Sequence, residues 1–196
     1  MQTLETRGLL HWDRNTNTYD LHPIVRRYAY GRLTAPNRIM AHSRLRDYFA
    51  TTNVSVKPQT LNDLGAIIEL YHHTVRTGEL DNAFKILHDR IMTSLYYQLN
   101  AYGICIELTR ALFVHGEGKP PPLSNESWQG WAPSILANLY CLNGQPHRAV
   151  PLYENVIDLS ASSKADKSKI NLGMGLGSLA QTVQIHTGAL VGAERH

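Results

Sequence analysis

Three glycines, each standing five residues ahead of an alanine, constrain the fold of this chain more than any other feature. They are Gly78 before Ala83, Gly144 before Ala149 and Gly188 before Ala193. Each glycine closes an apolar stretch of helical period, and each alanine falls early in the stretch that follows. Two helices that fold back on each other need a residue at the turn that accepts left-handed backbone. They also need a small side chain where their backbones come closest. The pattern therefore predicts helical hairpins, and no alternating strand pattern recurs after Leu61.

The glycines lie 66 and 44 residues apart. The first interval is about twice a helical-repeat period of roughly 34 residues, so a degenerate unit is expected between them. Residues 95–113 supply it, with Leu95, Leu99, Ile104, Ile106, Leu108 and Leu112 as candidate core. The second interval exceeds the period by about ten residues, which the polar stretch 160–169 accounts for. Residues 116–127, with Pro120, Pro121 and Pro122, read as a loop that a helix cannot include. The last unit lacks its second helix, so the chain is expected to be a piece of a longer protein with a truncated final repeat.

The front of the chain reads differently. Gly8 to Trp12 is a short apolar run, residues 13–17 are turn chemistry, and Thr18 to Leu21 returns as a strand. Pro23 suits the first turn of a helix, continued by Ile24, Val25, Tyr28 and Leu33 at helical spacing. A second helix is expected from Pro36 to Phe49. Residues 51–60, polar and containing Pro58, read as a linker. The expected fold is mainly α: residues 1–50 a partial winged helix with a short β-hairpin and its following helix, residues 61–196 a right-handed solenoid of helical hairpins.

Composition narrows the function classes. With 43% hydrophobic residues among 196 the chain can bury a core. No apolar run approaches the roughly 20 residues of a membrane span. Cys105 and Cys141 are too few for a disulfide framework, so a cytoplasmic setting is expected. The net charge of +3 is uneven: residues 1–50 hold eight arginines, no lysine and four acids. A face that docks on another domain ranks ahead of nucleic acid for those arginines, because the element that would read a duplex is not in this chain.

The residues match a known pattern. The segment "RGLLHWDRNTNTYDLHPIVRRYAYGRL", residues 7–33, resembles the winged-helix end of signal-transduction ATPases of the STAND class, which carry an NB-ARC type nucleotide-binding module. Their Leu-His-Pro or Met-His-Asp motif stands here as Leu21, His22 and Pro23. The stretches "ELYHHTVRTGELDNAF", "LYYQLNAYGICIELTRALF" and "ANLYCLNGQPHRAVPLYE" are similar to the tetratricopeptide (TPR) sensor regions of bacterial members. The resemblance implies that His22 reaches the phosphates of ADP in the intact parent protein. Pro23 takes the aspartate's position, so that carboxylate's role is absent. No cofactor is expected in this chain itself; ADP or ATP belongs to the parent.

The nucleotide pocket is not encoded here. A phosphate-binding loop needs Gly-x-x-x-x-Gly-Lys-Ser/Thr. Gly118 and Lys119 come nearest, but Phe113 stands in the first glycine's place and Pro120 follows the lysine. His72 and His73 diverge on a helix and have no partner histidine at metal-ligand spacing, so no metal is expected. Trp128, Trp131, Tyr96 and Tyr97 are expected in the core. Cys105 and Cys141 are expected to be packing residues.

A partner groove would lie along the first helices of the hairpins. Repeat register assigns it Ile68, His72 and Arg76 from one unit, Trp131, Ser134 and Asn138 from another, and Ser178 and Thr182 from the third. The leading expectation is a non-catalytic protein-interaction and sensor module of a STAND NTPase. It would bind a trigger protein or peptide and relay it to the upstream nucleotide-binding domain, with oligomerisation as an accompaniment. The alternatives are a stand-alone TPR scaffold and a winged-helix transcriptional regulator with a TPR sensor. Membrane and nucleic-acid partners are disfavoured.

Overall fold

The computed structural model describes residues 2–15, 18–52, 58–162 and 176–181. The chain is mainly helical, with one small two-stranded sheet. Its internal contacts divide it into two compact units, residues 1–44 and 45–196. The division falls inside a helix rather than in the linker at 51–60. Thr182, Gly188 and Ala193 lie outside the described residues, as does most of the polar stretch 160–169.

In the first unit, α1 (Gln2–Thr6) ends at Gly8, whose φ of 66° turns the chain back. The strands β1 (Leu10–Asp13) and β2 (Thr18–Leu21) pair antiparallel, with Leu10 opposite Leu21 and Trp12 opposite Tyr19. Helix α2 (Pro23–Arg32) starts with Pro23 in its first turn and His22 as its cap. Helix α3 (Ala35–Ala50) follows. Both expected helices and the hairpin are present. Their interior is thin: Leu10 is the one described hydrophobic residue of this unit that counts as buried. Tyr19, Ile24, Tyr28, Ile39 and Met40 all stand substantially exposed.

The second unit holds the core. A single turn at Asn62–Leu64 leads into α4 (Gly65–Arg76), which buries Ile67, Leu70, Tyr71 and Thr74 at helical spacing. Gly78 then adopts φ 83°. Its N–H donates to the Val75 carbonyl and the Glu79 N–H to that of Thr74. Those two bonds satisfy carbonyls that a helix end leaves orphaned, in the Schellman arrangement. Helix α5 (Leu80–Ile86) folds back with Ala83 fully buried. The second hairpin repeats the device. Helix α7 (Glu126–Leu142) ends at Gly144, φ 73°, with Gly144 N–H donating to Cys141 and Gln145 N–H to Tyr140. Helix α8 (Pro146–Ser162) returns with Ala149 fully buried. The two described glycine–alanine pairs thus do what their spacing predicts.

Three features depart from the sequence reading. Residues 95–113 do not form one unit. Helix α5 continues through widened turns, Leu87–Ile91 and Thr93–Gln98, and stops at Asn100, whose φ is 49°. Helix α6 (Tyr102–Arg110) is separate and packs against both that widened stretch and α7. The second departure concerns α7, which begins at Glu126 and runs through Pro133, so the loop ends two residues earlier than expected. Asn125 starts the helix by accepting from the Ser127 N–H at 2.8 Å. Third, Tyr97 is 73% exposed, not core, while Tyr96 packs half-buried beside it.

Candidate interaction surface

His22 sits at the entry of α2. Its Nδ1 accepts from the Ile24 N–H at 3.3 Å. An accepting Nδ1 leaves the proton of the neutral ring on Nε2, which is thus the ring's donor. The imidazole is exposed.

The expected groove residues fall into two described rows. On α4, Ile68 is half-buried against the core, whereas His72 and Arg76 are exposed one and two turns further on. On α7, Trp131 is half-buried, the Ser134 hydroxyl donates to its own helix at the Gly130 carbonyl (2.8 Å), and exposed Asn138 accepts from the Tyr153 hydroxyl at 2.6 Å. Ser178 is half-buried, and Thr182 lies outside the described residues. Among the described residues no hydrogen bond, ion pair or ring contact joins the α4 row to the α7 row. Helix α6 packs on α7 and is tied to α4: the fully buried Tyr71 donates its hydroxyl to the Leu108 carbonyl at 2.5 Å. Burial pushes that phenol well above its usual pKa.

What the fold does bring together is an aromatic corner between α5 and α7. Phe84, nearly fully buried, stacks on Trp128 with ring centres 4.8 Å apart and meets Trp131 edge-on at 5.3 Å. His88 lies flat on Phe84 at 5.5 Å and edge-on to Trp131 at 4.9 Å. The Lys85 ammonium stands 5.6 Å over the Trp128 ring. Both tryptophans keep an exposed side, as half-buried residues packed against the core. The neighbouring Asp81 accepts from the hydroxyl and the N–H of Ser124, which fastens the loop to α5. Those two bonds hold its carboxyl below the ordinary range.

A second cluster centres on Glu117, in the loop between α6 and α7. Its Oε1 meets Arg110 Nε at 2.6 Å, Arg148 Nη2 at 2.9 Å and the Tyr140 hydroxyl at 2.8 Å. One carboxylate thereby ties three helices together. Burial first, and Glu117 second, push the Tyr140 phenol up to about 12. Sequence reasoning met Glu117 only as part of a failed phosphate-loop string, and missed Phe84 and His88.

Cys105 is buried, and desolvation pushes its thiol up to about 11, away from the thiolate that nucleophilic chemistry uses. Among the described residues no three His, Cys, Asp or Glu side chains converge as a metal site would require, and no helix is long and apolar enough to cross a membrane. Comparison of the chain with family models, curated proteins and solved structures finds no match.

Proposed function

We propose that this chain is a non-catalytic protein-interaction module, its helical hairpins forming a TPR-like solenoid that holds a peptide segment of a partner. The observation that carries this reading is the repeated hairpin itself. Gly78 with Ala83 and Gly144 with Ala149 set the same left-handed turn and bury the same small side chain twice, with α6 packed between. Stacked units of that kind create extended walls for partners. The aromatic corner adds an anchor, since half-buried tryptophans rimmed by polar side chains are typical hot spots.

The resemblance of residues 7–33 to the STAND class extends the proposal. In that reading the module senses a trigger in the cytoplasm and relays it to a nucleotide-binding domain of the parent protein. The Nε2 donor of His22 would then face the ADP phosphates. A ligand shifts such a switch only by as much as its affinity differs between the two states.

Selection of a random peptide library on the immobilised chain tests the core of the proposal. The expected result is a family of related peptides whose binding is lost in the Trp131→Ala, Asn138→Ala double variant and kept in Tyr97→Ala. Peptides that bind the double variant as well as the parent would refute the groove.

A further inference from the structure

We propose that the first unit binds single-stranded nucleic acid, bases against its exposed rings and phosphates against its arginines. The inference is independent of the hairpin proposal, because it uses residues 1–44 alone. That stretch holds seven arginines, no lysine and three acids. Among the described residues only Arg26 of the seven is paired with a carboxylate, that of Asp20.

Guanidinium groups and rings are interleaved here. Arg14 lies 5.3 Å over Trp12, Arg32 lies 5.7 Å over Tyr28, and Arg38 lies 5.0 Å over Tyr30. These three contacts place forked donors beside flat rings on one small unit. Tyr19 stacks on Trp12 with planes 7° apart, at the end of the hairpin. Along α2, Ile24, Tyr28 and Arg32 follow one another at four-residue spacing. Ile24 is 72% exposed and Tyr28 64%, and no residue of that helix is buried.

Attraction by charge alone would be served equally by lysine, so arginines set beside exposed rings favour a ligand that carries both anionic and planar groups. Single strands need both: flat platforms for unstacked bases and forked donors for phosphates. Duplex is the poorer fit, because its base faces are already stacked on one another. This is why arginines that the sequence alone assigns to domain docking take on a different meaning once their rings are placed.

Fluorescence anisotropy of the full chain with a labelled 20-nucleotide oligothymidylate tests the proposal. Saturable binding is expected at 50 mM salt, falling about fifty-fold by 200 mM if some four phosphates are contacted. Tyr28→Ala and Tyr19→Ala should each weaken it by about tenfold, while Tyr28→Phe, which keeps the ring, should not. Circular dichroism should be unchanged in all three, since both rings lie outside the core. The proposal is overturned by absence of saturable binding at 50 mM salt, or by equal affinity for a 20-base-pair duplex. It is equally overturned by indifference to both alanine variants, or by competition from polyglutamate as strong as from unlabelled oligothymidylate.

Discussion

Replacing Gly144 and Gly130 separately with alanine should move stability in opposite directions. At neither position would an added Cβ come within 4 Å of a neighbouring atom, so packing contributes nothing to the difference. Backbone decides it. Gly144 holds φ 73°, where an L-residue costs about 1–2 kcal/mol. Gly130 lies inside α7, where glycine is worse than alanine by about 1 kcal/mol. The two variants should therefore differ by about 2–3 kcal/mol. At roughly 2–4 °C per kcal/mol for a unit of this size, the melting temperatures should separate by about 4–12 °C. Gly144→Ala should melt below the parent and Gly130→Ala above it, in thermal unfolding followed by circular dichroism at 222 nm. Gly144→Asn should fall between the parent and Gly144→Ala, because asparagine tolerates left-handed backbone better. If Gly144→Ala melts at or above the parent, the turn closing α7 is not left-handed, and the hairpin argument fails with it.

Four further outcomes follow from the core and its edges. Thr109 has a fully buried hydroxyl with no hydrogen-bond partner among the described residues, so Thr109→Val should raise stability by about 1 kcal/mol in urea unfolding. Tyr71→Phe should lower it by about 1 kcal/mol, since the Leu108 carbonyl keeps its bond from the Ala111 N–H. A thiol reagent such as a maleimide at pH 8 should leave Cys105 unmodified in the folded chain and label it on unfolding, because at a pKa of about 11 only about one in a thousand would be thiolate. The Asp81 carboxyl is held below its unfolded pKa, so its contribution is present above about pH 4 and lost as pH falls through the folded value. Asp81→Asn, which removes the charge, should lower stability near pH 7 and flatten the acid limb, as read by urea unfolding at a series of pH values.

How much of this was legible in the sequence depended on whether a residue's requirement was local. Gly78 and Gly144 were readable because one conformation, left-handed backbone at a helix end, strongly favours glycine. Pro23 was readable because a missing N–H marks a first turn. Asn100 plays a related part at the end of the widened helix, yet asparagine has many other uses, so nothing flagged it. Tyr97 faces outward because adjacent residues of a helix point roughly 100° apart, and Tyr96 takes the inward position. Pro133 lies inside α7 without ending it. Prolines usually lie outside helices, but α7 runs through this one and leaves the Gln129 carbonyl without its usual donor. The aromatic corner depends on Phe84 meeting Trp128, far apart in sequence, and pairing at that range has no local signature. The same holds for Glu117, whose three partners come from three helices. Helix α6 falls inside the stretch 95–113 expected to be helical, and its Ile106 and Leu108 are buried as expected, but its place between the two rows of groove candidates has no local signature.

The wide turns between Leu87 and Gln98 have a consequence for how the chain tolerates changes of length. Each such turn holds one residue more than an ordinary α-turn, so this stretch carries slack. Removing a single amino acid there should tighten it into a regular helix of similar reach, leaving Asn100 and α6 where they are. The same deletion in α7 would rotate every later side chain by about 100° and drag the buried face out of register. Surplus residues of this kind are where a helical protein can shorten without being redrawn.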